Sequence, residues 1–426
     1  MEKKQFKPKD MLVIGAALFA MFFGAGNLIF PPLLGQQTGT SWLIGFLFFF
    51  IFDVGLALVA ILALINKNEY SITGLTGPMG KVPGAVIGAI GALCIGPFLA
   101  IPRTAATTYE VGVAPLFPGF NTWIFSAVFF AIVLVLTIRP SKVVDIVGQF
   151  LTPVLVIFLL IMIIVGIVNP LGPIELDSTV NAVKEGTYNG YQTLDVIASM
   201  IFIIIIANSA RDKGYTDQAS LAGATIRSSV VAAIGLLIIY GGLTYLGATT
   251  GTLADYQGLD QTTLLVTITK GLFGNTGVIL LGIIVLFACW TTAIGLTSAV
   301  SEYFVELSGG KLKYKTLVII IVIFSWVISN AGVSTIIQFS APLLNLIYPG
   351  LLVLIILAFF HKKIKNNNVY RLAAYFGMIT SALEILAGFG LPTGFVSVLP
   401  LSDMGFAWII PAIVGAIIGK FIPSKS

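Results

Sequence analysis

Charge is what this sequence has least of. Of 426 residues only 10% are Asp, Glu, Lys or Arg, where a soluble domain carries about 25%. Histidine occurs once, at His361 in a basic loop, which argues against a histidine-based metal or acid–base centre. Two cysteines, Cys94 and Cys289, both lie inside apolar runs. They offer no disulfide framework and no metal spacing, and read as small packing residues. A Walker A pattern, an HExxH helix and a GxSxG nucleophile elbow are all absent. Gly415 to Lys420 imitates half a P-loop but lacks the hydroxyl residue and a preceding strand. ATP-driven work by this chain alone and membrane-embedded hydrolysis therefore fall away, and the chain does not read as an enzyme.

What is present is apolar: 57% of residues are hydrophobic, gathered in long runs. A hydrocarbon core about 30 Å thick needs roughly 20 such residues per helix. Strands would be shorter and would alternate, so helices are the way to satisfy backbone groups in lipid. The expected fold is an all-α integral membrane protein with twelve transmembrane helices, over about 11–35, 41–66, 82–109, 121–138, 143–168, 190–210, 220–248, 276–303, 316–332, 335–360, 371–391 and 404–421. The basic N-terminal segment before the first run imitates a signal peptide. That run is too long, however, and ends in Asn27 and Pro31-Pro32 rather than a small-residue cleavage site, so it reads as a retained first span.

Placing the N-terminus in the cytoplasm puts Lys3, Lys4, Lys7, Lys9, Lys67, Lys81, Arg139, Lys142, Arg211, Lys213, Arg227, Lys311, Lys313, Lys315, Lys362, Lys363, Lys365, Arg371, Lys420 and Lys425 inside, 20 of the 23 basic residues. Only Lys184 and Lys270 stand outside, with Arg103 in span three. The positive-inside rule thus expects both termini in the cytoplasm of a plasma-membrane protein. The net charge of +5 belongs to these loops and not to a nucleic-acid surface. The two longest external loops are expected at about 169–189 and 249–275.

Three stretches carry chemistry. In span one, Phe22-Phe23-Gly24-Ala25-Gly26-Asn27-Leu28-Ile29-Phe30-Pro31-Pro32 can unwind a helix, since Gly adopts non-helical dihedrals and Pro lacks a donor. Mid-membrane unwinding is tolerated only along a cavity, where freed amides hold a carboxylate and freed carbonyls a cation. The other reading is a Gly packing notch with a Pro exit. In span six the uninterrupted apolar part, Val196 to Ala207, is too short to cross unaided, and Ala198 and Ser199 lie near its midpoint. Interrupted spans at matching positions of two halves point to a midplane site. In span eight, Thr291, Thr292, Thr297 and Ser298 supply neutral oxygens for an alkali cation, or simply bond their own i−4 carbonyls.

Ionisable residues inside spans are functional candidates by default. Asp53 lies near the middle of span two and can accept hydrogen bonds from unwound backbone of spans one and six. Arg103, toward the outer end of span three, either serves the site or snorkels to the interface. Glu302 faces the inner end of span eight, and Glu384 falls outside a ten-span core.

These stretches, with Gly96-Pro97-Phe98, Pro102-Arg103-Thr104-Ala105 and Glu302-Tyr303, resemble the bacterial branched-chain amino acid:cation symporters of the LIVCS or BrnQ type. The likeness in length and span count runs over the whole chain. It implies leucine, isoleucine and valine as substrates and sodium as the usual coupling ion. It also implies the LeuT-type fold: a 5+5 inverted repeat plus two extra helices. In a single membrane domain over 1–426, repeat one would span about 11–168, repeat two about 190–360, and the extra helices about 371–421. Gly24-x-Gly26-Asn27 matches the LeuT-type motif directly. The resemblance then implies that the amides at Ala25 and Gly26 take the substrate carboxylate. It implies a sodium site from the carbonyls of Ala20 and Phe23 with Ala288, Thr291 and Thr292, Thr297-Ser298 being a competing register. Ile29-Phe30 stands where the LeuT pattern has a charged external-gate residue, so the outer gate and a second sodium at Asn27 do not carry over.

The function expected is sodium-coupled uptake of branched-chain amino acids. The carboxylate would lie on the span-one break, with Gly24 and Asn27 beside it, and the aliphatic part in an apolar pocket that Phe202 helps to wall. A proton-coupled or exchange carrier of another apolar amino acid, with Asp53 titrating, and a non-transporting membrane sensor are the alternatives. No organic cofactor and no obligate protein partner are expected; the partners are the amino acid and the lipid bilayer.

Overall fold

A computed structural model of the chain describes residues 6–69, 71–138 and 142–423, with side chains except at 142–152 and 204. Lys3, Lys4, Arg139 and Lys425, counted above as inner-side residues, lie outside the described residues, as does the side chain of Lys142. Among the described residues all regular structure is helical. The long helices are α1 (Pro8–Phe22), α2 (Ala25–Thr38), α3 (Trp42–Phe50), α4 (Leu56–Lys67), α5 (Ile72–Thr76), α6 (Lys81–Leu93), α7 (Ala100–Thr108), α8 (Thr122–Ile138), α9 (Lys142–Val168), α10 (Ala182–Thr193), α11 (Asp195–Asp212), α12 (Gln218–Ala248), α13 (Gln261–Leu307), α14 (Tyr314–Ser329), α15 (Val333–Ala358), α16 (Asn367–Gly388) and α17 (Ile409–Phe421), α5 being a single short turn among them. A π-turn, Ile51–Gly55, joins α3 to α4, and another, Cys94–Phe98, joins α6 to α7.

Six helical stretches among the described residues are long and apolar enough to cross a membrane, or seven if the bent α10–α11 pair is one span. The first of them, Ala25–Lys67, turns at Gly39 (φ 50) so that α2 packs on α3. Four shorter apolar helices include α8, α14 and α17. Exposed aliphatics fit lipid and not water: on α14, Ile320 is 57% and Ile323 53% exposed, part of an apolar surface far larger than soluble monomers show. Around the centre, α12 packs on α1 and α2, α10 on α3, and α13 on α7, while α16 and α17 pair at the side against α15.

Two expected boundaries need correcting. The external loop expected over 169–189 ends early, because α10 is already helical from Ala182. Its sequence looks unlike a span because it faces protein: Thr187 is fully buried and Gln192 is 8% exposed. Gly186 and Gly190 bring it onto α3, where a β-carbon at Gly190 would stand 3.0 Å from the Phe49 carbonyl. Such small residues four apart let helix backbones approach closely. The loop expected over 249–275 likewise contains the first turns of α13, set off from the rest by non-helical Gly274 (φ 64, ψ −158). Leu264, Leu265 and Ile268 there are fully buried.

Candidate functional site

The first break follows from the Gly-Ala-Gly-Asn sequence. α1 stops at Phe22, Phe23 takes φ −79, ψ 85, and Gly24 takes φ −111, ψ −176 before α2 begins. No side chain caps α2. Its first amides therefore lack intrahelical partners, and the positive end of the helix dipole lies with them. This is an anion-binding end of the general kind. The two glycines differ. A β-carbon at Gly24 would meet only ordinary contacts, Asn27 Oδ1 at 3.6 Å and the Thr292 γ-methyl at 3.8 Å. At Gly26 it would stand 2.7 Å from Arg103 Nη2 and 3.0 Å from the Phe30 ring.

The second break lies between α10 and α11, where Leu194 adopts the left-handed conformation (φ 72, ψ 6). A branched side chain there costs roughly 1–2 kcal/mol, so the surroundings hold it. Arg103 does part of this: Nη1 donates to the Gln192 carbonyl at 2.6 Å and Nη2 to the Thr193 carbonyl at 3.4 Å. A cation on the last carbonyls of a helix also suits its negative end. At 4% exposure Arg103 does not snorkel. Asp195 occupies the first position of α11, the positive end, where an anion is favoured.

A polar centre ties the two breaks to span two. Asn27 Nδ2 donates to Asp195 Oδ2 at 2.9 Å and to Asp53 Oδ2 at 3.4 Å. Thr193 Oγ1 donates to Asp53 Oδ1 at 2.8 Å. Asn27 is 1% and Asp53 0% exposed. Asp53 sits in the π-turn, a distortion common at functional sites. Beside it, a β-carbon on Gly190 would come within 3.2 Å of the Asp53 amide. That close approach delivers Thr193 to the carboxyl.

In front of this centre lies a cavity of ≈ 30 Å³, counted as space open to the centre of a water-sized sphere. Its polar wall is Gly24, Ala25, Asn27, Arg103, Thr193 and Asp195; its apolar wall includes Ile95, Ala198, Phe202 and Leu296. One water needs about 10–15 Å³ by that measure. The conformation seen here is thus closed down to roughly two waters, and any larger solute requires it to open.

The cavity brings together Gly24, Ala25, Asn27, Ala198, Phe202, Thr292 and Arg103. Gly26 lies under Arg103, and Asp53 lies behind Asn27. Ala20, Phe23, Ser199, Ala288, Thr291, Thr297 and Ser298 do not line it. Ser199 donates to the Val196 carbonyl at 2.7 Å. Thr291 and Thr292 both donate to the Ala288 carbonyl, at 2.9 and 3.0 Å. Both hydroxyls thus bond back within their own helix, and Thr292 meets Gly24 through its γ-methyl. Thr297 bonds back to Ala293 at 2.6 Å. Ser298 points elsewhere, to Tyr314 Oη at 3.0 Å and Glu302 at 3.4 Å.

Sequence reading missed Asp195 and Thr193 as site residues. With span six started at 190, Asp195 stood near its outer end; with the start at Ala182 it is central. The rule that a mid-span acid is a functional candidate would then have found it.

A family model described as branched-chain amino acid transport protein matches residues 7–426. The chain is 38% identical over 443 residues to the branched-chain amino acid permease BraB of Bacillus subtilis (strain 168), covering 99% of this chain and 98% of that protein. It is 37% identical over 424 residues to the branched-chain amino acid permease BrnQ of Salmonella typhimurium, covering 97% and 95%. Among solved structures it is similar to Mhp1, a nucleobase-cation-symport-1 family transporter in a closed conformation with bromovinylhydantoin bound. The TM-score is 0.67 at 15% identity, over 96% of this chain and 91% of that one. At that identity the likeness bears on the fold alone, which is of the LeuT type.

Proposed function

The chain belongs to the branched-chain amino acid transport protein family, and from that premise we propose that it is a sodium-coupled symporter that carries leucine, isoleucine and valine into the cell by alternating access. That it is a multi-pass membrane permease and not an enzyme follows from the family itself. The proposal adds twelve spans with both termini in the cytoplasm. It adds two inverted five-span repeats, the first from α1 to α9 and the second from α10 to α15, with α16 and α17 as the extra pair.

One observation carries the reading: both broken spans present their breaks to one small cavity with a polar and an apolar end. The amides of Ala25 and Gly26 take the substrate carboxylate at the positive end of α2. Arg103 holds the opposite break in place and adds positive charge beside it. The aliphatic side chain lies against Ala198, Phe202, Ile95 and Leu296. Such a wall makes no hydrogen-bonding demand, so one methylene changes binding by about 1–3 kcal/mol, and all three branched substrates are accepted. Sodium, as co-substrate, is held by the carbonyls of Ala20 and Phe23 together with the Ala288, Thr291 and Thr292 oxygens. It thereby links α1 to α13 only when the break is closed, and a ligand with that differential affinity shifts the conformational equilibrium.

The test is radiolabelled leucine uptake into proteoliposomes with and without an inward sodium gradient. Sodium-dependent accumulation supports the reading. Accumulation driven by a pH gradient alone makes the chain a proton-coupled carrier, exchange without accumulation makes it an exchanger, and substrate binding without any flux makes it a sensor.

A further inference from the structure

We propose that Asp53 and Asp195 share one proton, held behind the substrate cavity as a bridge between span two and the two broken spans. The inference does not rest on the sodium reading, because it concerns a proton that is bound whichever ion drives uptake.

The geometry is that of a carboxyl pair. Asn27 Nδ2 donates to one oxygen of each, Asp195 at 2.9 Å and Asp53 at 3.4 Å, which gathers the two carboxyls around one amide nitrogen. Two ionised carboxylates at that separation repel strongly, and such pairs resolve the conflict by keeping one proton between them. Charge balance gives the same count. Arg103 faces Asp195 and offsets one negative charge. Asp53, fully buried, receives only neutral donors, the Thr193 hydroxyl at 2.8 Å and the Asn27 amide. A buried charge without a partner is neutralised instead of tolerated. With one shared proton the set of Asp53, Asp195 and Arg103 is neutral; without it the set carries a net negative charge.

A second, independent observation points to the same place. Tyr240 of α12 is fully buried, with its side chain beside Asn27, Asp53 and Asp195. Tyr348 of α15 also faces both carboxyls, is fully buried and has an unpartnered hydroxyl. Tyr348 is a donor in reserve for whichever carboxyl carries the negative charge. The groups that face the pair are thus Arg103 from α7, Tyr240 from α12 and Tyr348 from α15, with Tyr191 of α10 stacked on Tyr348 at 4.3 Å. Asp195 lines the cavity and Asp53 does not, so the proton enters and leaves by way of Asp195.

The test is infrared spectroscopy of the full-length transporter in liposomes at neutral pH, with carbonyl-13C aspartate to separate aspartic acids from buried glutamates. Among the aspartates whose side chains are described, these two are the buried ones. The expected result is one protonated aspartic acid per chain, with a deuterium-sensitive carbonyl band. That band is lost in Asp53→Asn, which leaves Asp195 ionised near Arg103, and it persists at a shifted frequency in Asp195→Asn, which leaves Asp53 with neutral donors only. Asp53→Asn folds with an unfolding temperature near wild type, while Asp195→Asn and the double variant, with Arg103 uncompensated, unfold earlier. Absence of any protonated aspartic acid in the wild type overturns the proposal, as does a band that survives in Asp53→Asn or is unmoved in Asp195→Asn. If a single variant fails to fold, the wild-type band and its isotope shifts still decide.

Discussion

The Arg103 guanidinium lies directly over Gly26: a β-carbon added there would be 2.7 Å from Nη2. Arg103 cannot simply swing away, because it is holding the Gln192 carbonyl at 2.6 Å. Gly26→Ala should therefore abolish leucine uptake or reduce it at least tenfold, with a loss of stability. Gly24→Ala should retain most of both, since its backbone is one any residue adopts and the space is open. Uptake and unfolding temperature measured side by side decide it. Equal damage at the two glycines would mean that the break depends on general flexibility and not on this contact.

Removing Arg103 should loosen the second break. Each buried carbonyl left without its donor costs about 1–3 kcal/mol, and Arg103 serves two. Arg103→Ala should lower the unfolding temperature in detergent markedly. Arg103→Lys should fall between, because an ammonium lacks the planar fork. Adding Asp195→Asn to Arg103→Ala should recover part of the loss by removing a carboxylate that has lost its countercharge. No recovery would show that backbone capping alone is at stake.

The sequence made the first break legible because Gly24, Gly26 and Pro31 disfavour a continuous helix locally, by their own chemistry. The second break carries no such mark. Leu194 is left-handed through tertiary packing, with Arg103 on the carbonyls before it and Thr193 bonded to Asp53. No pattern of single residues announces that. For the same reason the first two turns of α10 read as a loop: a hydropathy reading asks whether a helix suits lipid, and this one is buried in protein. Asp53 and Arg103 were visible as acids and bases inside apolar runs. Their partner Asp195 was hidden by the misplaced start of its own span.

Thr291→Ala and Thr292→Ala should leave the fold intact, since both hydroxyls only bond back to Ala288 within their own helix, an exchange of small energetic consequence. The effect should fall on the ion. The sodium concentration for half-maximal leucine uptake should rise at least tenfold in each variant, with leucine affinity at saturating sodium nearly unchanged. An unaltered sodium dependence in the double variant would remove this side of α13 from the ion site.

Outside the membrane, Asp260 caps α13: Oδ1 accepts from the amides of Thr262 and Thr263, both at 3.0 Å. Partial burial pushes its carboxyl upward, but the Thr262 and Thr263 hydrogen bonds outweigh this and hold it below the ordinary carboxylate value. A folded-state value below the unfolded one means stability present at neutral pH and lost as pH falls through the folded value. Hydrogen exchange at the 261–264 amides should accelerate, relative to the ordinary pH trend of exchange, on acidification past the usual aspartate range. Asp260→Asn keeps a good cap and should flatten that response. Persistence of the acid response in the Asn variant would assign it to another group.

Ala198 is the small residue in the apolar wall, 6% exposed and facing the cavity beside Phe202. Ala198→Val adds two methyl groups where the proposed site receives the substrate side chain. A pocket shortened by that amount should reject leucine more than valine, because valine ends one carbon sooner. With about 1–3 kcal/mol at stake per methylene, the leucine-to-valine ratio of kcat/KM should fall by roughly tenfold or more, without change in the sodium dependence. Competition between the two labelled substrates in the same vesicles reads the ratio directly and is insensitive to expression level. If both substrates weaken together, Ala198 acts on closure of the α11 half-helix and not on the shape of the pocket. The aliphatic side chain would then have to lie against Ile95 and Leu296 on the far wall.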